Sequence, residues 1–333
     1  MMREITLDRR QLLMGASVAA ATAAAATAAR SESAAGAPDL SGKAILVTGS
    51  SSGFGRLGAE HYARLGAKVF ATMRDLPRRE ADELRDLAAS DKLDIAVIEI
   101  DVRSDELVSA GVAAAEAAAG RPLDVLVNNA GVAYGGPVEV QDMEATRNIF
   151  ETNVFGCHRM ARAVLPGMRS AGAGQIFQIA SQLGRLVLPG YGLYSGTKFA
   201  LEALSEQMAY ELAPHGIDVT VIEPGGYPTE IWENSEALTT SLFERTDKAL
   251  MGAYPALTAL SGGGGGSTDP MDVPRAIADI IAMPKGARPL RRAVHPTSRP
   301  QEKINAISAE TQVAWLGGSP FGPWIKDVNN VGK

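Results

Sequence analysis

Six short runs rich in valine, isoleucine and other apolar residues, at 44–47, 68–72, 95–100, 123–128, 175–180 and 217–222, recur along this chain of 333 residues. Stretches long enough for helices separate them, the plainest at 104–119, 142–169 and 191–213. A strand that is apolar throughout must be covered on both faces, and successive strands joined by helices lie parallel. The pattern therefore predicts an α/β fold built on a doubly wound parallel sheet. A helix near 272–283 and a last candidate strand at 290–294 extend it. The glycine run between Ser261 and Ser267 lies inside this series and reads as a loop, not a domain boundary. A single domain over 41–295 results, with 296–333 as a C-terminal tail.

The first forty residues are of another kind. Asp8-Arg9-Arg10-Gln11-Leu12-Leu13-Met14-Gly15 precedes an Ala/Thr/Val stretch running almost unbroken to Ala29, and Ala26-Thr27-Ala28 suits a signal peptidase. This resembles a bacterial twin-arginine export signal, although Asp8 stands where Ser or Thr is usual. It predicts a signal and linker over 1–40 and a periplasmic or extracytoplasmic location, cytoplasmic if the signal is unused. The competing reading, an uncleaved anchor over 12–29, relies on Ala and Thr, which contribute little transfer energy, so no stable membrane span is expected in the mature form. With a net charge of −6 and no long basic run, nucleic acid is not an expected partner. One cysteine, Cys157, and four scattered histidines offer neither an internal disulfide nor metal-ligand spacing.

Between the first run and its helix lies Thr48-Gly49-Ser50-Ser51-Ser52-Gly53-Phe54-Gly55. Glycine there lets backbone approach a pyrophosphate, and a helix N-terminus offers free N–H groups and partial positive charge. Gly49, Ser51, Ser52, Gly53, Phe54 and Gly55 are thus candidates for holding a dinucleotide. The second run ends in Thr72-Met73-Arg74-Asp75, with Met73 where an acidic residue would hold the 2′-hydroxyl of NAD and Arg74 suited to the 2′-phosphate of NADP. NADP(H) is the expected cofactor and NAD(H) the alternative, since Asp75 could approach the ribose instead. Asp101-Val102 follows the third run, the carboxylate placed to accept from the adenine amino group. Asn128-Asn129-Ala130-Gly131 ends the fourth, with Gly131 allowing close approach to a ribose. Gly49-Ser50-Ser51-Ser52-Gly53 also matches the G-x-S-x-G elbow of serine hydrolases, with Ser51 as nucleophile and His295 as a conceivable base. That elbow would follow the first strand rather than a central one, and no acid is marked to orient the base.

Tyr194-Ser195-Gly196-Thr197-Lys198 places a phenol and an ammonium four residues apart on one helix face. A phenol near pKa 10 is a poor acid–base catalyst at neutral pH. A lysine about 6 Å away, at an effective dielectric near 20, would favour phenolate by about 2.8 kcal/mol, about two pKa units. Ser181 ends the fifth run at the carboxyl edge of the sheet, where open α/β sheets bind ligands. Asn153, within the long helix before it, could hold a water or polarise the helix backbone for a proton relay.

In order and spacing, 48–55, Asn128 to Gly131, Asn153, Ser181, Tyr194, Lys198 and Glu223-Pro224-Gly225-Gly226-Tyr227-Pro228-Thr229 resemble the short-chain dehydrogenase/reductases, nearest the 17β-hydroxysteroid and retinol dehydrogenase branch. Thr220, where many members carry Asn, and Ala180, where a second Ser is frequent, depart from the pattern without removing a catalytic group. The resemblance implies a Rossmann-like fold and hydride transfer between nicotinamide and a carbonyl or alcohol carbon. It makes Tyr194 the general acid/base, Ser181 the hydrogen-bond partner of the substrate oxygen and Lys198 the ribose-binding residue that lowers the phenol's pKa. Asn153 completes the relay, Pro224 and Gly225 line the cofactor, Thr229 binds the carboxamide, and the protein is a homo-oligomer. A fold that has become a catalytically idle binding protein is the non-enzyme alternative, opposed by the intact Ser181, Tyr194 and Lys198. Substrate choice is expected in a loop over about 226–270. There Tyr227, Ile231, Trp232, Leu238, Leu242, Phe243, Leu250, Met251 and Tyr254 could line a lipophilic pocket for a ketone or alcohol, or pack as ordinary helix core.

Overall fold

The computed structural model describes residues 36–258 and 266–330. The export signal expected at the N-terminus and most of the glycine run lie outside the described residues.

Seven strands form one wholly parallel sheet: β1 (Ala44–Val47), β2 (Lys68–Met73), β3 (Ile95–Glu99), β4 (Val125–Asn128), β5 (Gly174–Ile179), β6 (Ile217–Pro224) and β7 (Arg291–Val294). Their order is β3-β2-β1-β4-β5-β6-β7. Side chains alternate between two cores. Ile45, Val47, Val69, Ala71, Val125 and Val127 point to a core with Ala59 and Tyr62 of α1 (Gly53–Arg64), Leu84 of α2 (Arg79–Asp91) and Ile277 and Ile281 of α10 (Asp272–Ala282). Leu46, Phe70 and Leu126 point to the other core. It is completed by Val108 and Val112 of α3 (Asp105–Ala119), Met160 and Val164 of α5 (Gly156–Ala171) and Leu212 of α6 (Gly192–Leu212). Burial on both faces is what makes these strands continuously apolar.

From β1 the chain winds outward through β2 to β3, and from β4 it winds the other way, so the carboxyl ends of β1 and β4 flank a crevice. The helix expected over 142–169 is interrupted. Between α4 (Met143–Phe150) and α5, residues Glu151–Phe155 form a π-helical turn that contains Asn153. After β6 come α7 (Ile231–Glu244) and the short α8 (Lys248–Gly252) and α9 (Pro255–Thr258). Among the described residues no helix is long and apolar enough to cross a membrane.

The segment expected as a tail is instead folded into α11 (Gln301–Leu316) and α12 (Gly322–Val328). Ile325 of α12 is buried, and α11 is tied to β6 by polar contacts, Gln301 Nε2 donating to the Glu223 carbonyl and Asn305 Nδ2 to Glu223 Oε2 at 2.7 Å. Glu223 is fully buried beside Glu202 of α6, whose Oε2 accepts from Arg291 Nε at 2.8 Å; Arg291 also reaches Glu206. One oxygen of each buried carboxyl, Oε1 of Glu202 and Oε1 of Glu223, is left with no donor. Two acceptors in contact bond only if one carries a proton. Desolvation, with the charge of Glu202 adding to it, accordingly holds the Glu223 carboxyl well above the usual carboxylate range.

A carboxyl whose folded pKa is raised binds its proton more tightly in the native state, so its stabilising contribution is full below its unfolded pKa and is lost as pH rises. Relative to a Glu223→Gln variant, whose amide supplies the shared hydrogen permanently, the wild-type Tm should therefore fall as pH is raised above about 5. Parallel Tm–pH curves for the two proteins would contradict a shared proton.

Candidate active site

The crevice is closed at its base by one hydroxyl. Thr48 Oγ1, at the end of β1, accepts from the backbone N–H groups of Asn129 and Ala130 at 2.9 and 3.0 Å and donates to the Val127 carbonyl. Asn129 Nδ2 returns the link by donating to the Thr48 and Gly49 carbonyls at 2.9 and 3.2 Å. The Gly49–Gly55 turn is thereby drawn against the end of β4. A Cβ on Gly55 would lie 2.3 Å from the Gly49 oxygen and 2.4 Å from Asn129 Nδ2, so only glycine fits.

Above this clamp runs a cleft of about 830 Å³, a size suited to a small-molecule or cofactor site. Of the expected cofactor residues, Gly49, Ser51, Ser52, Gly53, Phe54, Arg74, Asp101, Val102, Asn129, Ala130, Gly131, Pro224, Gly225 and Thr229 line it, together with Ser181, Tyr194 and Lys198. Gly55 sits behind the lining as the packing glycine. The glycine-lined cradle and the helix start behind it fit a dinucleotide diphosphate.

At the end of the cleft beyond β2 and β3, Arg74 meets Asp75 at 3.4 Å, and two further arginines, Arg78 and Arg103, reach the same wall. Neither was singled out from the sequence, because only the folding of the loops after β2 and β3 brings them here. Asp101, expected as an adenine acceptor, lines the cleft already paired with an arginine. Arg103 binds both its oxygens through Nε and Nη2, and that guanidinium holds the carboxyl below its usual range.

Tyr194 and Lys198 lie on successive turns of α6, with Lys198 Nζ 5.5 Å from the Tyr194 ring centre and donating to the Ile179 carbonyl at 2.8 Å. Burial pushes the lysine down to about 8. Burial also pushes the Tyr194 phenol up to about 12, with the Ser181 hydrogen bond opposing. Without a cofactor in the cleft, desolvation of the phenol outweighs the Ser181 hydrogen bond, and the lysine expected to favour phenolate is itself desolvated and donates to a strand carbonyl. Ser181 Oγ accepts from Leu183 N at 3.1 Å, which fixes the hydroxyl at the strand end.

Asn153 is buried and does not line the cleft. Its Oδ1 accepts from Val132 N and its Nδ2 donates to Val132 O, both at 2.8 Å, and Nδ2 also reaches Thr197 Oγ1 at 3.2 Å. This side chain pins the segment after β4 to the Thr197 face of α6. The π turn is what aims it there; such turns concentrate at functional sites.

In the substrate half, Tyr227, Ile231, Trp232 and Leu238 line the cleft as expected, with Leu188 and Tyr191 from the loop before α6. Leu242 is fully buried in a small core with Tyr134, Ala145 and Ile149, with Phe243 against it, and so belongs to packing. Leu250, Met251 and Tyr254 lie outside the cleft lining. His295, the conceivable hydrolase base, accepts the backbone N–H groups of Thr297 and Ser298 at its Nδ1 and packs its ring on Tyr227. No hydrogen bond joins it to Ser51 among the described residues.

Residues 43–239 match the family model for short chain dehydrogenase. The chain is 39% identical over 244 residues to an uncharacterized oxidoreductase, YusZ, of Bacillus subtilis, covering 72% of this chain and 83% of that one. It is 33% identical to retinol dehydrogenase 8 of Bos taurus over 80% of this chain and 85% of the other. Among solved structures it resembles a gluconate 5-dehydrogenase from Burkholderia cenocepacia in complex with NADP and tartrate. The TM-score is 0.55 and the identity 29%, over 58% of this chain and 74% of that one.

Replacing Thr48 by the near-isosteric valine leaves two backbone donors at the crevice without their acceptor. Thr48→Val should cost about 2–3 kcal/mol in urea denaturation, and an unchanged midpoint would remove the clamp from the account.

Proposed function

Because the chain belongs to the short-chain dehydrogenase family, whose members act on CH–OH groups, we propose that it transfers a hydride between NADP(H) and the carbonyl or secondary alcohol carbon of a lipophilic small molecule. The observation that carries this reading is the convergence of Ser181, Tyr194 and Lys198 on one wall of the cleft, beside the 224–229 segment. Bound there, the nicotinamide ring supplies or accepts the hydride at C4. Tyr194 gives its proton to the developing alkoxide in reduction; a phenol held above neutral is protonated and ready for that step. Ser181 donates to the substrate oxygen. Lys198 holds the cofactor ribose and, with its own proton loosened by burial, returns one to Tyr194. Asn153, whose side chain sets Val132 against α6, completes the proton relay.

The preference for NADP(H) over NAD(H) rests on Arg74, with Arg78 and Arg103 on the same wall and Met73 where a ribose-binding acid would stand. Cofactor-binding roles for the 49–55 turn, Asp101 to Val102, Asn129 to Gly131 and Pro224 to Thr229 belong to the same proposal. The apolar wall formed by Leu188, Ile231, Trp232 and Leu238 supports a lipophilic substrate of the ketone or alcohol class. Self-association is part of the reading, with the exposed Phe155 and Phe199 as its candidate contacts. The Arg9-Arg10 opening is read as sending the folded domain out of the cytoplasm, and replacing both arginines by lysine should retain it there in a bacterial host.

NADPH and NADH consumption against a panel of lipophilic ketones and aldehydes, with an ester in the same plate, tests the reaction class; ester cleavage without nucleotide consumption would favour the Ser51 hydrolase. Tyr194→Phe should lower turnover by about 100- to 10,000-fold while leaving NADPH binding near normal. Activity within tenfold of wild type would remove Tyr194 from its role. Arg74→Ala should raise the Kd for NADPH about tenfold and leave that for NADH nearly unchanged, whereas equal changes would overturn the preference.

A further inference from the structure

The N-terminus of α1, which faces the cleft, already holds a carboxylate. Glu230 Oε2 accepts from Gly53 N at 2.9 Å, a contact between residues 177 apart in the chain. A helix start normally finds its anionic or polar partner locally. Here it does not: Ser52 at the cap makes no side-chain cap bond, and the first turn of α1 has no acidic residue. The partner comes from across the cleft. Glu230 caps α7, the helix whose Ile231, Trp232 and Leu238 form the substrate wall. The approach is close, since a Cβ on Gly53 would lie 3.5 Å from Thr229 Cβ and 3.7 Å from Glu230 Oε2.

We propose that Glu230 is an internal competitor for the diphosphate-binding helix start, an affinity-setting residue that ties α7 across the cleft until the dinucleotide displaces it. The inference rests on the dinucleotide reading above. The N–H groups at the start of α1 are those that a diphosphate takes in a glycine-turn site, and two anions cannot share them without repulsion. Entry of the diphosphate therefore breaks the Glu230–Gly53 contact and frees α7. Loss of the dinucleotide lets the carboxylate return, so cofactor exchange and the position of the substrate wall are coupled. Part of the cofactor's intrinsic affinity is spent on displacing the internal anion.

Glu230→Gln keeps an oxygen able to accept from Gly53 N and removes only the charge. The experiment is fluorescence or calorimetric titration of wild type and Glu230→Gln, at low ionic strength, with NADPH and with adenosine 2′-monophosphate. The second ligand carries the 2′-phosphate but no diphosphate, so it reports on the intact adenine end. The variant should bind NADPH about five- to tenfold more tightly and the monophosphate within twofold of wild type, the NADPH gain shrinking at high salt. Equal NADPH affinities, weaker binding by the variant, or parallel changes for both ligands would overturn the role of Glu230. A wild type that binds neither NADPH nor NADH would instead overturn the dinucleotide reading, and the competition with it.

Discussion

The bond network around the Thr48 hydroxyl fixes the distance between the ends of β1 and β4, and the rest of the cleft is built on that distance. Oγ1 collects two backbone N–H groups from the 129–130 turn, and Asn129 answers with two bonds to the carbonyls of Thr48 and Gly49. Because β1 and β4 are where the sheet changes its direction of winding, this is the one place where two turns at the sheet's carboxyl edge diverge and leave room for a ligand. Gly55 lets the helix start press close against them.

The second constraint is electrostatic. Lys198 and Tyr194 are drawn into the protein beside Ser181, where burial weakens the hold of the ammonium on its proton and raises the phenol. In the proposed reaction these shifts suit the phenol to donate a proton and the lysine to return one. The same α6 helix carries Glu202 one turn farther on, joined to Glu223, Arg291 and, through Glu223, to α11. The α6 helix is thus held at its middle by the buried Glu202–Glu223–Arg291 cluster and near its start by Thr197 and Asn153.

Much of this was legible in the sequence, for physical reasons that can be named. Strands covered on both faces have to be apolar throughout, so β1, β2 and β4 to β6 stood out within a residue or two of their ends, while β3 and β7, less buried, were placed by their position in the alternation. Tyr194 and Lys198 declared their common face by helical spacing alone. The phenol's direction of shift did not, because it depends on burial and on the Ser181 hydroxyl, neither of which spacing encodes. Asn153 was found, but its π turn was not, since one extra residue in a turn leaves helical periodicity nearly intact. The helices after β7 escaped because only Gln301 of α11 is fully buried and its anchors are amides, which leaves no apolar stripe to read. Arg78, Arg103 and Glu230 were invisible as site residues because loops, not elements, deliver them.

The central claim is direct hydride transfer in this cleft, and isotope transfer tests it most directly. With NADPH deuterated at the transferring C4 position and the best ketone substrate, the account predicts that the label appears on the carbinol carbon of the product. Alcohol formed without label at that carbon would contradict it.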